Sequence, residues 1–169
     1  MLPELERFKS FDGCELVYRH WQPIKKSDRW IVLFHRGHEH SARQAELAES
    51  FLGEGYHVFA WDARGNGESE GERDAADSFS VLIHDADKFV HHLAQKHSLE
   101  LENLAVVGNS LGALIASGWV HDYAPSIRAL VLAAPAFRIK LYMPFAIPLL
   151  RLARKLGVMK RVTSYVKSK

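Results

Sequence analysis

The chain has a single cysteine, Cys14, so no disulfide can form within it. No apolar run approaches the roughly 18 residues that a membrane-spanning helix needs. The opening MLPELERFKS carries acids where a secretory signal would have a basic stretch and then an apolar one. Together these shortages predict a cytoplasmic location. A fourth shortage is local. From Arg138 to Lys169 there are nine Lys/Arg and no Asp, Glu or His. Removing nine from the 22 basic residues leaves 13 against 20 acids in the first 137 residues, a net of −7. A mildly acidic body therefore carries a basic C-terminal segment. That segment is strongly apolar and lacks the aromatic spacing of a base-stacking surface, which argues against a nucleic-acid partner and suits a lipid headgroup surface.

What is present is ordinary for a globular protein: 47% apolar and 25% charged residues over 169 positions, enough for one domain with a real core. Two strands flank the turn Asp12-Gly13. Short apolar runs at 29–35, 56–61, 103–108 and 127–136 read as further strands. Helical spacing marks 45–52, 78–98 and 110–123, and Ser41 is a candidate N-cap. Strands alternating with helices after a hairpin predict an α/β fold with a mainly parallel sheet. Residues 1–136 form the expected core. The segment 137–169, broken by Pro144 and Pro148, is expected to begin a lid or cap.

Chemistry concentrates in Gly108-Asn109-Ser110-Leu111-Gly112. A strand, then G-x-S-x-G, then a helix is the setting in which a serine nucleophile is displayed on a tight turn. Gly108 and Gly112 keep the turn's flanks free of side chains, and the helix N-terminus offers N–H groups to a developing oxyanion. Such a site needs a second N–H from the loop after an earlier strand. Gly37 in LFHRGHEH is the candidate, with Leu111 supplying the first. His35 reads as a structural histidine supporting that loop, next to Arg36. The His35-x-x-His38-x-His40 spacing matches no specific metal motif, so no metal is expected there. In WDARGNGESEG, the third glycine of a dinucleotide fingerprint is out of place. A loop packed around Asp62 and Arg64 is the better reading, and no cofactor is expected.

FHRGHEH, WDARGNGESEG and GNSLGA, in that order, resemble the α/β-hydrolase superfamily, and within it the monoacylglycerol lipase and lysophospholipase branch that is grouped with serine aminopeptidases. The resemblance spans about Glu4 to Ala136. It implies Ser110 as nucleophile with Gly37 and Leu111 as oxyanion donors, and a small ester or lipid as substrate. Two positions depart from that branch: Arg36 stands where glycine is common, and Asn66 where histidine is. Arg36 could reshape the loop or bind an acidic group of the substrate.

A serine hydroxyl needs a base and an orienting acid, which in this superfamily follow the serine in the chain. The only histidine after Ser110 is His121, about three turns along the same helix and so roughly 15 Å away. His84, His91, His92 and His97 read as surface residues of the preceding helix, and His38 and His40 lie at the correct edge of the sheet. The triad acid and histidine are therefore expected to be absent from this chain, which reads as the first part of a hydrolase ending within a lid after about the sixth strand. Two functions remain open: a serine hydrolase cleaving carboxylic esters, or a non-catalytic binding module. An unfinished sheet edge suggests self-association. The basic tail at 138–169 suggests peripheral membrane contact or an ordinary solvated helix.

Overall fold

The computed structural model describes residues 2–25 and 27–135. The expected lid at 137–169, with its membrane contact, lies outside them.

The sheet has the order β1-β2-β4-β3-β5-β6: β1 Glu4–Lys9, β2 Glu15–Trp21, β3 Arg29–Phe34, β4 Tyr56–Trp61, β5 Leu104–Asn109 and β6 Ala129–Ala133. β1 and β2 form the expected antiparallel hairpin, closed by Gly13 at φ +86°. β2 runs antiparallel to β4, and β4, β3, β5 and β6 are mutually parallel. Three helices connect them: α1 Ala45–Leu52, α2 Phe79–His97 and α3 Leu111–Tyr123.

Strand alternation fills both faces of the sheet. Trp30, Val32 and Phe34 of β3, with Phe59 and Trp61 of β4, pack towards α2 and α3. Their neighbours Ile31, Leu33, Val58 and Ala60 pack with Trp21 and with Ala48 of α1. Strands buried on both faces read as continuous apolar runs, as RWIVLF and YHVFAW do. β1 and β6 are the outer strands among the described residues, and Val131 of β6 is 50% exposed.

One local expectation is corrected. Ser41 is not a helix N-cap. It opens a 3-10 turn, Ser41–Gln44, and is fully buried. Its N–H and its hydroxyl both donate to the Asp62 carboxylate, at 2.6 and 2.5 Å. The buried carboxylate outcompetes the helix terminus because an unsatisfied interior charge is far more costly than a frayed N–H.

Candidate active site

The parallel register brings the ends of β3, β4 and β5 level. Leu33 pairs with Ala60 on one side and Val107 on the other, and Phe34 with Gly108. The loops beginning at His35, Asp62 and Ser110 therefore leave the same edge of the sheet, where open α/β folds bind ligands.

Ser110 sits between β5 and α3 at φ +52°, ψ −108°, a conformation rare for a residue with a Cβ. Such strain persists only where the surroundings hold it, and it is concentrated at functional sites. Here two contacts hold it: the Ser110 N–H donates to the Ala133 carbonyl at 2.9 Å, and its own carbonyl accepts from Leu114 N–H at 3.2 Å. Both flanking glycines are sterically required. A Cβ on Gly108 would lie 2.5 Å from the Gly112 carbonyl oxygen and 2.7 Å from Ala113 Cα. A Cβ on Gly112 would collide with the Phe34 and His35 carbonyls. The start of α3 is thus pressed against the end of β3, which no larger residue permits.

That pressing brings Leu111 to the loop after β3. A Cβ built on Gly37 would touch the Leu111 side chain at 3.7 Å, an ordinary contact, so Gly37 is set by the need for backbone approach less than the elbow glycines are. Among the described residues, neither the Gly37 nor the Leu111 N–H is taken by a protein acceptor. The two line a cleft of about 130 Å³ together with His38, Ala63, Arg64 and Asn66.

The loop is buttressed from beneath. His35 is buried; its Nε2 accepts from the Ala63 N–H at 2.9 Å, which leaves Nδ1–H to donate to the Arg36 carbonyl at 2.7 Å. Burial pushes its pKa below the usual histidine value, consistent with a neutral ring whose two nitrogens have opposite roles. Arg36 projects outward and pairs with Glu39 at 2.7 Å, so its charge already has a partner. Asp62 accepts the Glu68 N–H at 2.9 Å besides both Ser41 donors. Arg64 forks between two carboxylates, Asp12 in the β1–β2 turn and buried Asp85 of α2, with contacts of 2.8–3.0 Å. The expected loop packed around Asp62 and Arg64 is what forms.

The histidines divide differently from expectation. His121 pairs with its neighbour Asp122 at 2.8 Å on the last turn of α3. His84 and His91 are exposed, as expected, but His92 and His97 are half-buried: His92 packs on Phe8, and His97 against Phe59 and His20. The polar side of α2 is covered there by the β1–β2 hairpin, which residue spacing along one helix cannot reveal. His38, at φ +60°, pairs with Asp74 at 3.1 Å beside the cleft. Among the described residues, no side chain hydrogen-bonds the Ser110 hydroxyl.

A strained serine between two obligatory glycines, with Gly37 and Leu111 adjoining, has the layout of one hydrolase lineage, and the chain's relatives agree. The family described as serine aminopeptidase, S33, matches residues 25–169. The chain belongs to this family of α/β hydrolases. It is 42% identical to YnbC of Escherichia coli (strain K12), over 99% of this chain and 29% of that one. It is 33% identical to monoglyceride lipase of Homo sapiens (78% of this chain, 43% of that one). It is 29% identical to probable lysophospholipase L2 of Haemophilus influenzae (85% and 48%). Among solved structures, a thermostable carboxyl esterase from Bacillus coagulans superposes with a TM-score of 0.71 at 22% identity, over 95% of this chain and 52% of that one. The hydrolase fold is shared; the chain spans less than half the length of these curated relatives.

Proposed function

We propose that the protein is a serine hydrolase of carboxylic esters, with a lysophospholipid or a monoacylglycerol as substrate. The observation that carries the reading is the Ser110 elbow, held at φ +52° with Leu111 packed beside Gly37. In this reading Ser110 Oγ attacks the ester carbonyl, and the carbonyl oxygen, becoming an oxyanion, accepts from the Gly37 and Leu111 N–H groups. The C–O bond to the alcohol breaks, leaving an acyl-serine that water hydrolyses. The attack needs a base for the serine proton. We take the base and its orienting acid to be supplied from beyond these residues, as the greater length of the relatives allows. The names of two relatives, a monoglyceride lipase and a probable lysophospholipase, support a glycerolipid ester as substrate class.

The test is labelling of the full-length protein with a fluorophosphonate probe, with the adduct mapped by mass spectrometry. An adduct on Ser110 that disappears in Ser110→Ala is expected. Equal labelling of both proteins, or none of either, would overturn the reading in favour of a non-catalytic binding module.

A further inference from the structure

A second cluster lies at the opposite end of the parallel strands. His20 of β2 pairs in register with Phe59 of β4, and His97 ends α2. Their rings meet at 4.9 Å, and His20 stacks on Phe59 at 4.2 Å. Glu6 of β1 faces them: its Oε1 is 3.9 Å from His20 Nδ1. One ligand atom from each of Glu6, His20 and His97 lies within 4.8 Å of the other two.

Two features distinguish this cluster from a packed set of rings. His20 is 3% exposed, and among the described residues its Nδ1 has no hydrogen-bond partner; neither has the buried His97 Nε2. Both imidazole nitrogens thus face one carboxylate without a donor or acceptor between them, in a place where an unpaired polar atom is costly. The second feature is the outer layer. His20 Nε2 is 3.1 Å from His57 Nδ1. One of the two rings donates to the other across this contact. With His20 donating through Nε2, its Nδ1 is a lone pair facing the cluster. Glu6 Oε2 is held separately by the Tyr18 hydroxyl at 2.8 Å and by Lys96. Metal-binding histidines and carboxylates are oriented by such outer hydrogen bonds.

We propose that Glu6, His20 and His97 bind a divalent zinc-type cation, tying the β1–β2 hairpin to the end of α2. Two neutral imidazoles and one carboxylate suit zinc, with water as fourth ligand. Ligand atoms about 2.0–2.1 Å from zinc in a tetrahedron lie about 3.3 Å apart, so the three must close by up to about 1.5 Å. Glu6 and His97 are both only partly buried and can turn inward. Lys96 opposes the cation, but its side chain is 44% exposed and can swing into water.

The test is titration of the chelator-treated full chain with Zn²⁺ at pH 7.5, using a competing chromophoric chelator. One equivalent should bind. His97→Gln should weaken it by about 100-fold or more, exceeding the roughly 10- to 100-fold typical of losing an outer partner, for which Tyr18→Phe is the comparison. Lys96→Met should tighten it, and His121→Gln, at an exposed and distant histidine, should leave it unchanged. Absence of Zn²⁺ binding in the folded chain, equal affinity in wild type and His97→Gln, or loss of the equivalent in His121→Gln would each overturn the proposal.

Discussion

The two ends of the parallel strands solve opposite problems. At the carboxyl end, where Ser110 sits, backbone presses on backbone: Gly108, Gly112 and Gly65 each lack the room for a Cβ, and the buried carboxylates Asp62 and Asp85 are paired. At the amino end, rings of His20, His57, His97, Trp30 and Phe59 fill the space, and imidazole nitrogens are left over. One end is rigid through backbone geometry and ion pairing; the other is titratable. A substitution should break the first, and a change of pH should break the second.

The largest expected effect is on chemistry alone. Ser110→Ala should lower ester hydrolysis by the full-length protein on the order of a million-fold, as removal of a triad nucleophile does. Alanine accepts the Ser110 backbone no worse than serine, and no protein group hydrogen-bonds the hydroxyl among the described residues. Stability should therefore stay within about 0.5 kcal/mol, as for an ordinary surface change. Comparing kcat/KM with the urea midpoint checks both halves. A large loss of stability would mean that Ser110 is a packing residue rather than a displayed one.

Next comes Arg64→Ala, which leaves Asp85 buried with only Ser10 as partner. Stranding one partner of a buried ion pair costs about 3–5 kcal/mol. The unfolding midpoint should fall accordingly, and Arg64→Lys should recover only part of it, because lysine cannot fork between Asp12 and Asp85. A loss under about 1 kcal/mol, the size of a surface pair, would show that the clamp is not what holds this end.

At the amino end, protons do the breaking. His20 falls from 6.5 to about 3 on folding, chiefly through burial. Its folded form binds fewer protons than its unfolded form, so its contribution is complete above about pH 6.5 and is lost as pH falls from there towards 3. The slope for one such group approaches 1.36 kcal/mol per pH unit. His57, His92 and His97 are lowered in the same direction, again by burial, and so is His35 at the other end. Urea unfolding at pH 7.5 and 5.5, in the presence of a chelator, should show a drop of at least about 1 kcal/mol. His20→Phe, which keeps the stack on Phe59, should make that drop smaller; an unchanged slope would place the titrating groups elsewhere.

This contrast also separates what the sequence reveals from what it hides. The elbow is legible because its constraints are local. Tight backbone approach demands glycine at fixed offsets, and Gly108-Asn109-Ser110-Leu111-Gly112 records that demand directly. The doubly buried strands are legible as apolar runs. The histidine cluster is not, because Glu6, His20, His57 and His97 meet only through the β1–β2 pairing and the packing of α2. The role of Ser41 is hidden for the same reason: its partner, Asp62, is 21 residues away. His92 and His97 lie on a polar helix face that only the hairpin covers.

The smallest effect concerns Arg36, where this chain departs from its branch. Its guanidinium pairs with Glu39 at the rim, and its side chain is 60% exposed. An exposed pair of this kind contributes about 0–1 kcal/mol, so Arg36→Gly should move the unfolding midpoint barely at all. The more informative readout is kinetic. Glu39 already neutralises Arg36, so the arginine has little charge to offer an acidic headgroup. Removing it should change KM for a lysophospholipid and for an uncharged monoacylglycerol by the same small factor. A selective rise in KM for the charged substrate would show that Arg36 leaves Glu39 to engage it, and that this rim, unlike the elbow beside it, rearranges on binding.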